Sequence, residues 1–218
     1  MHIFDLGICQ YLIGAVFMRL ILKNFGKSTK LLAPMRHHEN LKHLRRRLWA
    51  YYASLPRNRG RMSAIGKLTS KMLGTTAQPR LKAKAAESRN LVRLLPQRCR
   101  ENPDCFADTS KFLAAACTEM DSLYKVMQAE PRQMTSAGLR QLRQHMTRFL
   151  TYWKAFGGHL VPKHHFAWHI VERADRNGNP MFYWTYADEQ ENRVMSAVAK
   201  SLHGGNTFCF AVLEKVLS

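Results

Sequence analysis

Apolar positions recur at helical rather than strand spacing along most of this chain. Residues 6–22 read LGICQYLIGAVFMRLIL, an apolar stretch that contains Gln10 and Arg19. Its unbroken apolar run from Tyr11 to Met18 is far shorter than the ~20 residues of a membrane span, so the spacing predicts a buried helix over 3–24, with Gly26 near its stop. From 35 to 55, Leu41, Leu44, Leu48, Tyr51, Tyr52 and Leu55 fall at helical spacing, while Lys42, Arg45, Arg46 and Arg47 take the remaining circumference. Pro34 precedes this helix and Pro56 ends it. Residues 57–89 carry a basic side chain every two to four positions and little apolar bulk, which predicts a mobile or partly helical basic arm.

Periodic order resumes near residue 88 with a short helix up to Pro96. Asp108 or Thr109 caps a helix over 110–129 whose inner face is Phe112, Leu113, Ala116, Met120, Leu123 and Met127. Pro131 breaks it. Thr135 or Ser136 caps the next helix, running to about Phe156, with Leu139, Leu142, Met146, Phe149, Leu150 and Trp153 inward. Gly157 and Gly158 stop it. Pro162 opens a helical stretch through Val171, RNGNP at 176–180 is a turn, and the aromatic-rich segment Met181 to Tyr186 is the strand candidate. Helices over about 187–203 and 207–217 complete the reading.

Charge adds what periodicity does not show. Of 218 residues, 34 are Lys or Arg and 15 are Asp or Glu, a formal charge of +19. Residues 1–100 hold 21 of the cations and only Asp5, Glu39 and Glu87 as acids, so nearly all the excess lies in the first half. Such a step favours a polyanionic partner, nucleic acid before an anionic membrane, and no small-molecule substrate is evident. The five cysteines, at 9, 99, 105, 117 and 209, are odd in number and form no C-x-x-C. They argue against a secreted disulfide framework or a zinc knuckle and for buried thiols in a reducing compartment.

Three groups of residues bear on chemistry. Arg45, Arg46 and Arg47 stand beside Trp49, Tyr51 and Tyr52. Guanidinium groups fork onto phosphate oxygens, and the aromatics are either core residues or platforms for bases. The DNA-contact candidates are Arg36, Lys42, Arg45, Arg46, Arg47, Arg57, Arg59 and Arg61. In PKHHFAWH, His165 and His169 lie four apart on one helical face, as a two-histidine metal site requires, with no intervening acid and no third ligand in view; structural or DNA-facing histidines are the alternative. The third group is Asp188, Glu189 and Glu191 after the strand candidate, placed either for a divalent metal or for plain pairing with a helix N-terminus.

MHIFDLGICQYLIGAVF resembles the stretch of CACTA-type (En/Spm-like) DNA transposases that follows their second catalytic aspartate. YWTYADEQENRVMSAVAKSLHGG resembles that family's W-x-Y-x-x-E-R segment, which holds the final catalytic glutamate and places it on Glu189. PKHHFAWHI is similar to the P-K-x-H-x-x-x-H stretch before it. The resemblance covers some 50 residues at the two ends and their order.

It implies a ribonuclease H-like core interrupted by a helical insertion, with two divalent metals, Mg2+ or Mn2+, clamped between three acids. The strands bearing the first two aspartates would lie upstream, and Glu189 by itself cannot hold two ions. We therefore expect a mainly α chain: an apolar helix at 1–34, a basic helical or mobile region at 35–100, a helical insertion at 101–160, and at 161–218 the C-terminal strand-helix part of an incomplete ribonuclease H-like fold. Its expected role is a transposase-derived, nuclear DNA-binding fragment, inactive alone, whose helix 3–24 lacks its sheet and would self-associate. The alternative is a non-enzymatic basic helical nucleic-acid-binding protein; a membrane-associated basic protein is a more distant reading.

Overall fold

The structure is a computed structural model and describes residues 3–23, 33–55 and 64–182. Among these the chain is mainly helical and has no β-strand, only an isolated bridge between Gly74 and Pro79. His2–Phe182 cluster as one compact unit. A π-helical turn, Ile3–Ile8, runs into α1, Cys9–Leu22. Phe4, Ile8, Leu12, Ile13, Val16, Phe17, Leu20 and Ile21 are all buried, because α1 is covered by α2 (Ala33–Ser54), α3 (Ala85–Val92), α4 (Leu95–Glu101) and α5 (Lys111–Ala129). The stretch Ile3–Leu22 is long and apolar enough to cross a membrane, yet 78% of its most apolar 18-residue window is buried inside the protein. The expectation that this helix is left uncovered is corrected: the helices of the same chain take the place of a sheet.

The second correction concerns the basic arm. Its described part, residues 64–84, is packed, with Ile65, Leu68, Leu73 and Leu81 buried around a 3-10 turn at Ser70–Leu73. Gln10, polar within an apolar helix, is the anchor. Its carbonyl accepts from Leu81 N–H at 2.8 Å, its Nε2 donates to the Ala83 carbonyl at 2.7 Å, and its Oε1 accepts from Arg80 Nε at 3.0 Å. The loop lies so close to α1 that a Cβ on Gly14 would come within 2.6 Å of the Arg80 backbone.

The expected short helix up to Pro96 is two helices, α3 and α4. Pro96 lies in the first turn of α4, where its missing N–H leaves no helical bond unmade. Asp108 does not cap α5; it lies in a 3-10 turn, Asp108–Ser110, that leads into the helix. α5 and α6 (Ser136–Phe156) pack as a helical hairpin, the most extensive helix pair in the unit. Thr135 caps α6 as expected, its Oγ1 accepting from Gly138 N–H at 3.0 Å, and Gly157 at φ +84° ends it in the left-handed region.

α7, Pro162–Glu172, begins at Pro162 as expected, and α8, Ala174–Asn177, follows. Pro180–Phe182 form a 3-10 turn, so the strand expected from Met181 begins in helical geometry. The rest of that segment and the two last expected helices lie outside the described residues, and the strand part of a ribonuclease H-like fold is not evident among those described.

Candidate nucleic-acid interface

α2 sets the geometry of the basic surface. Leu41, Leu44 and Leu48 are buried, which fixes the rotation of the helix and turns Arg46 and Arg47 to solvent. Asn40 Nδ2 donates to the Ile21 carbonyl at 2.8 Å and ties the helix to the end of α1.

The predicted contacts divide by what they touch. Arg45 Nε donates to the Leu68 carbonyl at 2.6 Å, so this arginine holds the loop. Lys42 pairs with Glu39 at 2.8 Å, both partly exposed, and Arg36 is half-buried and partnered. Arg46 is exposed. Arg47 is exposed with Nη1 3.9 Å from Glu101 Oε2, a carboxylate already held by Arg98 Nη1 at 2.5 Å. Arg57, Arg59, Arg61 and Glu189 lie outside the described residues.

The aromatics divide too. Trp49 is 61% exposed and is no core residue. Tyr51 donates to the Asn90 carbonyl at 3.0 Å, and Tyr52 accepts from Ile65 N–H at 3.4 Å. Burial raises the pKa of both phenols, so they serve the packing.

Residues from outside the predicted set complete the patch. Arg98, from α4, is buried, while Arg100 is exposed. Burial lowers the Arg98 pKa, Glu101 opposes the shift, and Arg47 adds to it. His43, one turn before Arg46 and Arg47, is held below the usual histidine value by burial, then by the charges of Arg47, Arg46 and Arg98. Three guanidinium groups thus act on one imidazole, with Glu101 as the carboxylate between two of them. α4 is separated from α2 by 40 residues of chain, so the sequence holds no local signal that Arg98 joins this group.

The remaining candidates are structural or remote. His164 is buried, its ring stacked on Phe149 and Trp153, and desolvation is the main cause of its lowered pKa. Asp5 is fully buried and accepts from Tyr124 Oη at 2.5 Å, with Cys9 Sγ 3.4 Å from the same oxygen. Among the described residues no group of three or more histidine, cysteine or carboxylate side chains is placed to hold one metal ion. Cys9, Cys99, Cys105 and Cys117 are buried free thiols. No protein-family model matches the chain, and no curated protein or solved structure is significantly similar to it.

Proposed function

We propose that this chain is a DNA-binding fragment related to the CACTA transposases, working in the nucleus or another reducing compartment and gripping the duplex by its phosphates. The observation that carries the reading is the meeting of Arg47 and Arg98 at one oxygen of Glu101, 3.9 and 2.5 Å away, with exposed Arg46 beside them. Like charges held this close repel one another. A phosphate lattice, with one negative charge per roughly 1.7 Å of duplex axis, relieves that repulsion and releases its own counterions. Arg46 and Arg47 are exposed and can fork onto phosphate oxygens, Arg47 by giving up its 3.9 Å contact with Glu101, and exposed Trp49 beside them offers a face for stacking. These contacts are to the backbone, so they position the protein without reading sequence.

In the transposase reading Glu189 joins a metal site for Mg2+ or Mn2+ only when two upstream aspartates complete it. A second reading, a non-enzymatic helical nucleic-acid-binding protein, draws on the absence of strands among the described residues. Restoring the upstream strands separates the two, because only the transposase reading makes strand cleavage depend on Glu189. For either, fluorescence anisotropy with a labelled duplex is the test. Saturable binding that weakens steeply between about 50 and 200 mM salt is expected, and no saturable binding at the low-salt end would refute both.

A further inference from the structure

α7 carries a second arrangement that the basic patch does not use. Three of its histidines divide between inside and outside. His164 is buried against Phe149 and Trp153, whereas His165 is exposed and His169 is half-buried. The four-residue spacing brings His165 and His169 together one turn apart, with their Nε2 atoms 3.0 Å from each other and their rings nearly perpendicular. One further turn along, Glu172 Oε2 lies 3.0 Å from His169 Nδ1. That carboxylate selects the tautomer: neutral His169 keeps its proton on Nδ1, donates it to Glu172, and leaves the Nε2 lone pair toward His165.

We infer that His165 and His169 form a chelating site for a late first-row divalent cation, with Glu172 as the positioning residue for His169. The spacing decides which ions fit. At a metal–nitrogen distance of about 2.0–2.1 Å, two nitrogens 3.0 Å apart subtend roughly 95° at the ion, whereas a tetrahedral angle needs about 3.3 Å. The pair as it stands matches two cis positions around Cu2+ or Ni2+. Zn2+ requires the two imidazoles to open by a few tenths of an ångström. Cu2+ binds most tightly, following the general order of affinities for nitrogen donors. On binding, His165 carries its single proton on Nδ1 instead of Nε2, so each ring stays neutral and each Nε2 donates a lone pair to the ion. The remaining coordination positions stay open to water or to a donor from another molecule. Mg2+, which takes oxygen ligands, is not bound here. The site is on a different helix from the basic patch and does not depend on the DNA reading.

Calorimetric titration of the whole chain with Cu2+, Ni2+, Zn2+ and Mg2+ tests it, with paramagnetic resonance of the Cu2+ form. His165→Ala and His169→Ala are each expected to remove the same one equivalent of Cu2+, or to weaken it more than tenfold, and to take away the same nitrogen hyperfine signal. His159→Ala, an exposed histidine outside the pair, should change neither. Glu172→Ala should weaken binding about tenfold, and Glu172→Gln, whose amide oxygen still accepts from Nδ1, should restore most of it. His165→Asn provides a second ligand-deleting variant, with circular dichroism as the check on folding. Cu2+ stoichiometry and affinity that are the same in wild type, His165→Ala and His169→Ala would overturn the site.

Discussion

Arg45 Nε donates to the carbonyl of Leu68 at 2.6 Å, and this one bond takes the first of a row of three arginines out of the surface it belongs to in sequence. Arg45 to Arg47 are consecutive, so the chain presents them as one run of charge. The structure gives them different work. Arg45 pins the packed loop 64–84 against α2, while Arg46 and Arg47 face solvent.

Removing Arg45 should therefore act on stability. Arg45→Ala is expected to cost about 1.5–3 kcal/mol, the range for a hydrogen bond with a charged donor. Urea denaturation measures this directly, and an unchanged midpoint would place Arg45 back among the solvent-facing cations.

Gly14 tests the seat of the same loop on α1. A methyl group there would meet Arg80 backbone atoms at 2.6 Å, and backbone cannot swing aside as a flexible side chain can. Gly14→Ala is expected to destabilise the protein by about 2 kcal/mol or more through overpacking. Gly66→Ala, where a Cβ meets open space, should stay within about 0.5 kcal/mol. Equal thermal midpoints for the two variants would contradict the close approach.

His43 links the patch to pH. Its folded-state pKa is depressed by burial and by Arg47, Arg46 and Arg98, while the unfolded chain titrates near the ordinary 6.5. Above that value His43 is neutral in both states and its contribution to stability is fully present. As pH falls below about 6.5 the unfolded chain takes up the proton first, and the contribution is lost down to the depressed folded pKa. Bound phosphate acts in the opposite direction, favouring the imidazolium, so DNA affinity should rise as pH falls through that window. His43→Gln should flatten the part of the rise that belongs to this residue. Anisotropy titrations across pH 5 to about 7 that are superimposable for wild type and variant would sink the assignment.

Much of the helical framework was legible in sequence because its signals are local. The spacing of Leu41, Leu44 and Leu48 sets the buried face of α2, Thr135 and Gly157 bracket α6, and Pro162 marks the start of α7. Loop 64–84 was not legible. Its buried side chains, Ile65, Leu68, Leu73 and Leu81, follow no single period, and its anchors, Gln10 and the Cβ-free surface at Gly14, lie some seventy residues away. The same reason limited the reading of the basic patch. Composition located the charge in the first half of the chain. It could not tell that Arg45 is spent on a carbonyl, or that Arg98 comes in from α4 to stand with Arg47 at Glu101. The apolar stretch at 3–22 was readable as a buried helix, but its cover is helices of the same chain, which only tertiary packing reveals.

The most direct test of the central claim is the salt dependence of duplex DNA binding, compared between wild type, Arg46→Ala/Arg47→Ala and Arg45→Ala. If Arg46 and Arg47 each neutralise a phosphate, the double variant should lower the slope of log affinity against log salt by about 1.8, near 0.9 per lost contact. Arg45→Ala should leave the slope of the folded protein unchanged. An unaltered slope in the double variant, or an equal drop in Arg45→Ala, would contradict the account.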